Sequence, residues 1–116
     1  MATVSSHTLN GVDGSHAGGI AVRLVNLNTA EIVFDAHTDE SGRLSQRVDE
    51  PNPTARYEII FQTGAYWQGR VSGTRGTRII DEIVVRFSMP EPDGTYHIPL
   101  ILSPHGYSLW SSTEHG

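Results

Sequence analysis

The sequence predicts an all-β fold, a sandwich of two sheets built from seven or eight short strands with one short helix. Apolar and polar residues alternate over short runs, which is typical of strands that bury one face. Turn-forming residues recur about every 8–12 positions, a spacing that favours short strands joined by tight turns. The chain has 116 residues, the size of one domain, so we expect a single domain over residues 1–116.

Strands are predicted wherever a short alternating run lies between turn signals. A hairpin turn at Asn28-Thr29 joins the second strand to the third. The most regular alternation places Ile83, Val85 and Phe87 on one face. The predicted strands cover residues 6–9, 20–27, 31–36, 44–48, 56–63, 81–89, 96–103 and 107–113.

The remaining segments predict connections and the helix. Pro51-Asn52-Pro53 forces a loop, because proline fixes φ and lacks a backbone N–H. Residues 64–69 are expected to form the helix, and residues 71–78 are expected to form a mobile loop because they show no periodicity. A sandwich of this size leaves edge strands exposed, which favours edge pairing into a dimer.

The composition excludes several classes of function. The net charge is −5 and the eight positive charges are all dispersed arginines, so we expect no nucleic-acid or membrane partner. The absence of cysteine excludes disulfides and thiolate chemistry and fits a cytoplasmic protein. Residues 1–10 lack the pattern of a signal peptide, and no apolar run approaches the ~20 residues that span a bilayer.

Three polar residues are the strongest candidates for a functional site. His97 opens an apolar run, where it is either a hydrogen-bonded histidine at a sheet end or a general base near neutral pH. Arg43 follows Gly42 in a turn and is either a solvated side chain or a clamp for an anion or carbonyl. His7 is either an exposed histidine near the N-terminus or a third member of the same site.

Other chemistries have little support in the sequence. Zinc binding by His7, His97 and His105 matches the residue types but has no supporting ligand spacing, so we expect neither a metal nor a cofactor. The sequence contains no Gly-x-Ser-x-Gly nucleophile turn and no phosphate-binding loop with a lysine. Asp81 and Glu82 are adjacent in a predicted strand and point to opposite faces, which argues against a joint catalytic role.

Several segments together resemble the transthyretin-related family, and within it the 5-hydroxyisourate hydrolases of purine catabolism. The resemblance spans nearly the whole chain and is most specific around His97. It is carried by Ser6-His7-Thr8-Leu9-Asn10, Gly19-Ile20-Ala21-Val22-Arg23-Leu24, residues 38–43 ending in Gly42-Arg43, Phe61-Gln62-Thr63-Gly64-Ala65-Tyr66-Trp67, and Tyr96-His97-Ile98-Pro99-Leu100-Ile101-Leu102-Ser103-Pro104 with Gly106-Tyr107-Ser108.

The resemblance implies a transthyretin-like sandwich assembled as a homotetramer, a dimer of dimers with active sites between the dimers. It implies metal-independent hydrolysis of a small purine-derived ring at an amide bond, with 5-hydroxyisourate of the urate-degradation pathway as the first choice. His7, Arg43 and His97 match the family's catalytic positions, where the histidines would deprotonate a water and Arg43 would stabilise charge on the attacked oxygen. Because the base must be neutral, activity is expected to fall below about pH 6.

The C-terminal segment departs from the family pattern, which ends in Tyr-Arg-Gly-Ser. Trp110, Ser111 and Thr113 occupy this segment and are expected to bind substrate, because the family's side chains there help to build the pocket. The family's Gly-x-Pro-Ala is replaced around Ser15-His16-Ala17-Gly18. Three hypotheses stay open: the same substrate, a hydrolase of the same fold acting on a different lactam or ureide ring, and a non-catalytic transthyretin-like binding protein.

Overall fold

The computed structural model describes residues 1–70 and 76–114, which form a two-sheet β-sandwich with one short helix, α1 (Thr63–Trp67). The predicted sandwich is confirmed. The loop predicted at residues 71–78 falls largely on residues 71–75, which lie outside the described residues. The strands are β1 (Ala2–Asn10), β2 (Ala21–Asn26), β3 (Ile32–His37), β4 (Arg43–Val48), β5 (Tyr57–Phe61), β6 (Ile83–Phe87), β7 (Thr95–His97), β8 (Leu100–Ser103), β9 (Gly106–Leu109) and β10 (Ser112–Glu114).

The first sheet is organised around β1. On one side β1 pairs with β4 in antiparallel fashion, and on the other side it pairs in parallel with β7 and then with β8. The outer edge is completed by β10, which pairs with β7, and by β9, which pairs with β8. The second sheet is an antiparallel sheet in the order β3-β2-β5-β6.

The core lies between the two sheets and follows the alternation of the strands. The inward residues of β5 and β6 include Ile59, Phe61 and Ile83, which are each at most 2% exposed. The face predicted for residues 56–63 is therefore confirmed. The core residues are Ala2, Val4, Ala17, Ile20, Val22, Leu24, Leu44, Val48, Ala55, Tyr57, Ile59, Phe61, Tyr66, Trp67, Ile83, Met89, Tyr96, Ile98, Leu100 and Leu102.

Strand β1 is longer than the four residues predicted for it, because its buried alternation begins at Ala2 and Val4 and continues through Ser6 and Thr8 to Asn10. Ser6 and Thr8 are buried, and their hydroxyls donate to the carbonyls of Ile98 and Ala17 at 2.6 Å each. These bonds satisfy the hydroxyls inside the core. The outward residues of β1, by contrast, are all partly exposed.

The single strands predicted at residues 96–103 and 107–113 are each divided in the structure. Pro99 has no N–H for the ladder, so β7 ends at His97 and β8 begins at Leu100. The neighbouring edge strand is interrupted opposite Pro99, between the end of β9 and the start of β10. At this interruption the Trp110 N–H donates to the Pro99 carbonyl over a long distance of 3.4 Å. His97 is thereby placed at a strand end in the middle of the sheet.

The helix and β6 are also shorter than predicted. Helix α1 begins at Thr63 and ends at Trp67, two residues before Gly69, whose φ is +75°. Strand β6 covers five residues rather than the nine of the predicted segment. Among the described residues, no helix is long and apolar enough to cross a membrane.

Candidate functional site

The strand register brings His7, Arg43 and His97 onto one face of the first sheet. Arg43 lies directly opposite His7 in the pairing of β4 with β1. His97 lies opposite Ser5 in the pairing of β7 with β1, which makes it a diagonal neighbour of His7. Directly opposed and diagonal residues project from the same face and are within reach of long side chains. The three predicted catalytic residues therefore share the outer face, on three adjacent strands.

A row of hydroxyl groups crosses this face, and one of them contacts His97. Ser112 of β10 is opposite His97, His97 is opposite Ser5, and Ser5 is opposite Ser45 of β4. We call Ser112, Ser5 and Ser45 the hydroxyl row. The Ser5 hydroxyl lies 2.8 Å from Nδ1 of His97. This contact orients the ring and leaves Nε2 as the nitrogen that is open to a ligand.

The turn between β3 and β4 presents Arg43. Oδ1 of Asp39 accepts the N–H groups of Ser41 and Arg43 at 2.9 Å each. Gly42 has φ +74°, and a Cβ at this position would lie 2.3 Å from the Thr8 carbonyl oxygen. Only glycine meets both conditions, the left-handed φ and the close approach to β1. The turn is therefore fixed against β1 at the point where Arg43 faces His7.

The surroundings of His7 favour its neutral form. The pKa of His7 is lowered from its ordinary value of 6.5, chiefly because burial removes water from the ring. The positive charge of Arg43 lowers this pKa further, as do His16 and His97, whereas the hydrogen bond with the Ser41 carbonyl opposes the effect. A neutral imidazole is the form that accepts a proton from water.

Three cavities meet at His97, the smallest of them a pocket of about 250 Å³ that is also lined by Ser112 and Glu114. A shallow pocket of about 270 Å³ is lined by Arg43 and His97 on the outer face. A cleft of about 390 Å³ runs from His97 towards the space between the sheets. The other residues lining the shallow pocket are Ser5, Ser6, Asp39, Leu44 and Ser45.

The sequence of this chain matches the profile of the HIUase/Transthyretin family over residues 4–111. The chain belongs to this family. A 5-hydroxyisourate hydrolase of Pseudomonas aeruginosa is 28% identical over 95% of this chain and 90% of the relative. A 5-hydroxyisourate hydrolase of Halalkalibacterium halodurans is 32% identical over 92% of this chain and 94% of the relative.

Solved structures of the HIUase/Transthyretin family have the same fold. The 5-hydroxyisourate hydrolase of Klebsiella pneumoniae superposes with a TM-score of 0.76 at 28% identity, covering 97% of this chain and 99% of that one. A crystal structure of (S)-allantoin synthase superposes with a TM-score of 0.79 at 27% identity. The match covers 96% of this chain but only 43% of the synthase chain.

The segment in which this chain departs from the HIUase/Transthyretin pattern is only partly directed towards the site. Thr113 is opposite Tyr96, a core residue, and Ser111 and Thr113 both line the cleft of about 390 Å³ rather than the shallow pocket. Trp110 is 47% exposed and lines none of the three cavities at His97. Ser112, which we did not predict, shares the face of His97.

Sequence reasoning also missed Ser5 and His16. Ser5 precedes His7 by two residues, so the alternation of β1 would have placed it on the same face had the strand been extended to Ala2. His16 lies in a connection, where no periodicity indicates direction, yet its Nδ1 is 3.0 Å from Nε2 of His7. Among residues 1–70 and 76–114, no three histidine or carboxylate side chains are placed to hold a metal ion.

Proposed function

We propose that this chain catalyses the hydrolytic ring opening of 5-hydroxyisourate to 2-oxo-4-hydroxy-4-carboxy-5-ureidoimidazoline, a step of urate degradation. The observation that supports it best is the convergence of His7, Arg43 and His97 on the outer face of the first sheet. The names of relatives that match over nearly the whole chain support the same substrate. The proposal includes a metal-independent reaction and a cytoplasmic location.

In the proposed reaction a water is held between the free nitrogens of His7 and His97. One imidazole accepts a proton from the water, whose oxygen attacks the ring carbonyl to form a C–O bond. The guanidinium of Arg43 makes no ion pair within the described residues, and it stabilises the negative charge that develops on the carbonyl oxygen. The ring C–N bond then breaks, and the proton passes to the departing nitrogen.

We further propose a homotetramer, a dimer of dimers in which this outer face packs against another copy. The face is apolar beside the site, because Leu9 is opposite Ile101 and Ile101 is 37% exposed in the single chain. A second copy placed over this surface would close the shallow pocket and exclude water from it, which strengthens the electrostatic interactions of Arg43.

The direct test generates 5-hydroxyisourate in situ and follows the decay of its absorbance. The wild-type protein is expected to accelerate the decay, with no effect of a chelator. Arg43→Glu is expected to reduce kcat/KM by at least about 10²-fold, because it replaces the stabilising charge with a repelling one.

Arg56→Glu is the matched control, since Arg56 is an exposed arginine that precedes β5 of the second sheet, away from the outer face of the first. Its kcat/KM is expected to stay close to that of the wild type. Absence of acceleration by the wild-type protein would contradict the proposal and would point to a different ring as the substrate.

The pH dependence gives a second test. Because the pKa of His7 is lowered from 6.5, His7 stays neutral to lower pH than a free histidine does. With His7 as the base, the acid limb of the kcat/KM profile is expected to have its midpoint below 6.5. Added salt screens the positive charge of Arg43, which lowers the pKa of His7, so salt should move this midpoint upward. A midpoint at or above 6.5 at low salt would contradict the assignment of His7.

A further inference from the structure

Glu114 extends the outer face of the first sheet beyond His97. It is opposite Thr95 in the pairing of β10 with β7, and two residues earlier Ser112 is opposite His97. Residues two positions apart on a strand project from the same face, so Glu114 shares the face of His97 and is its diagonal neighbour, at roughly 7–8 Å. Because the strands run in the order β4-β1-β7-β10, Glu114 and Arg43 lie on opposite sides of His97.

The pocket of about 250 Å³ is lined by Glu114 and His97. Its other lining residues are Ser5, Thr95 and Ser112, so every residue around it has a polar side chain. Ser5 and His97 also line the shallow pocket that contains Arg43, and the two pockets therefore adjoin at His97. A ligand whose reacting carbonyl lies in the shallow pocket can extend past His97 towards Glu114.

The two ends of this surface carry opposite charges. Arg43 supplies a cation at one end, and the carboxylate of Glu114 makes no ion pair with any of residues 1–70 and 76–114 at the other. The second carboxylate near the site, that of Asp39, already accepts two N–H groups of its own turn through Oδ1. An ionised carboxylate only accepts hydrogen bonds, so the end of the surface at Glu114 favours a group rich in N–H donors.

The proposed reaction produces one group for each end. When the ring C–N bond of 5-hydroxyisourate breaks, the attacked carbon becomes a carboxylate and the departing nitrogen becomes the terminal NH₂ of a ureido group. The carboxylate matches the guanidinium of Arg43. A ureido group carries N–H donors side by side, and two parallel N–H groups fit the two oxygens of a carboxylate, as in a bidentate guanidinium–carboxylate pair.

We propose that Glu114 is a specificity-determining residue that accepts the N–H groups on the ureido side of the substrate. This inference rests on the proposed function, since it assigns the group that binds the departing side of the ring. The hydroxyls of Ser112 and Thr95, which line the same pocket, are donors for the ureido oxygen. A ligand with an anionic group on this side is repelled by Glu114, so the same residue excludes such ligands.

Three stable probes test this assignment without turnover. Ureidoacetate carries a carboxylate and a ureido group, N-acetylglycine lacks the terminal NH₂, and succinate has a second carboxylate in place of the ureido group. Their Kd values are measured by titration of the wild-type protein, followed by ¹H–¹⁵N NMR. We expect ureidoacetate to bind about three- to tenfold more tightly than N-acetylglycine, and succinate to bind most weakly.

Two variants of Glu114 separate its charge from its hydrogen bonds. Glu114→Gln keeps the size but loses the charge and one of the two acceptor oxygens, so the preference for ureidoacetate should disappear. Glu114→Arg should reverse the order, with succinate bound most tightly. Glu31→Gln is the matched control, because Glu31 is an exposed carboxylate in the connection between β2 and β3 of the second sheet, and it should keep the wild-type order.

The kinetics of the same variants give the second readout. Glu114→Gln should raise the KM for 5-hydroxyisourate about three- to tenfold with a smaller change in kcat, as expected for a residue that binds the ring without activating the water. The wild-type order of the three probes in both Glu114 variants, or no preference for ureidoacetate in the wild-type protein, would overturn the inference. If the wild-type protein does not open 5-hydroxyisourate, the proposed function fails, whereas the probe titrations still decide the role of Glu114.

Discussion

Alanine in place of His97 is expected to slow the opening of 5-hydroxyisourate by about 10²- to 10⁴-fold in kcat/KM. The imidazole is fixed by the Ser5 hydroxyl at 2.8 Å and lines the shallow pocket and the cleft. Its removal takes away one of the two groups that we propose to hold and activate the water, while His7 and Arg43 stay in place. The measurement is the initial rate of absorbance decay at several substrate concentrations.

His105→Ala is the control for this variant. His105 is an exposed histidine in the hairpin between β8 and β9, and its loss is expected to leave kcat/KM unchanged. The melting temperatures of both variants should lie close to that of the wild type, since neither side chain belongs to the core. If His97→Ala were as active as His105→Ala, the assignment of His97 would be wrong.

Gly42→Ala is expected to destabilise the fold by at least about 3 kcal/mol. The left-handed φ of +74° contributes part of this cost. The larger part arises because the new Cβ would lie 2.3 Å from the Thr8 carbonyl oxygen, so the turn must move away from β1. That movement breaks the hydrogen bond from the Thr8 N–H to the Gly42 carbonyl, which is 2.7 Å long. Denaturant unfolding followed by circular dichroism measures the loss.

Gly14→Ala separates the two causes. Gly14 has φ +77°, but a Cβ there meets no atom within 4 Å, so only the conformational cost of about 1–2 kcal/mol is expected. Equal losses in the two variants would show that the close approach of the turn to β1 is unimportant. Activity at a temperature where both variants are folded should fall only in Gly42→Ala, because only this turn presents Arg43 to His7.

Much of the fold could be predicted from alternation, and the exceptions have identifiable causes. Strand β5 was predicted correctly because Tyr57, Ile59 and Phe61 fill its buried face with large apolar side chains. The beginning of β1 was missed because Ala2 and Val4 give only a short, weakly apolar alternation there, and the burial of Ser6 and Thr8 that continues this inward face depends on carbonyl partners distant in sequence. Sequence periodicity registers hydrophobicity and does not register a hydrogen bond to a remote carbonyl.

The candidate site was predictable to the extent that it lies on strands. His7 and His97 stand on β1 and β7, and Arg43 begins β4, so their common face follows once the register is known. The contact of His16 with His7 depends instead on the path of a connection, which no periodic pattern specifies. The orientation of the C-terminal segment was equally unpredictable. The interruption between β9 and β10, opposite Pro99, decides which hydroxyl groups of this segment face the site.

The hydroxyl row has a consequence for protein engineering. Ser5, Ser45 and Ser112 point away from the core, so changes in their size and polarity are largely uncoupled from packing between the sheets. Substrate preference can then be explored by combinatorial replacement at Ser45 and Ser112 with little loss of thermal stability. These side chains stand on a ladder of paired strands, so each can be replaced without changing the course of a loop.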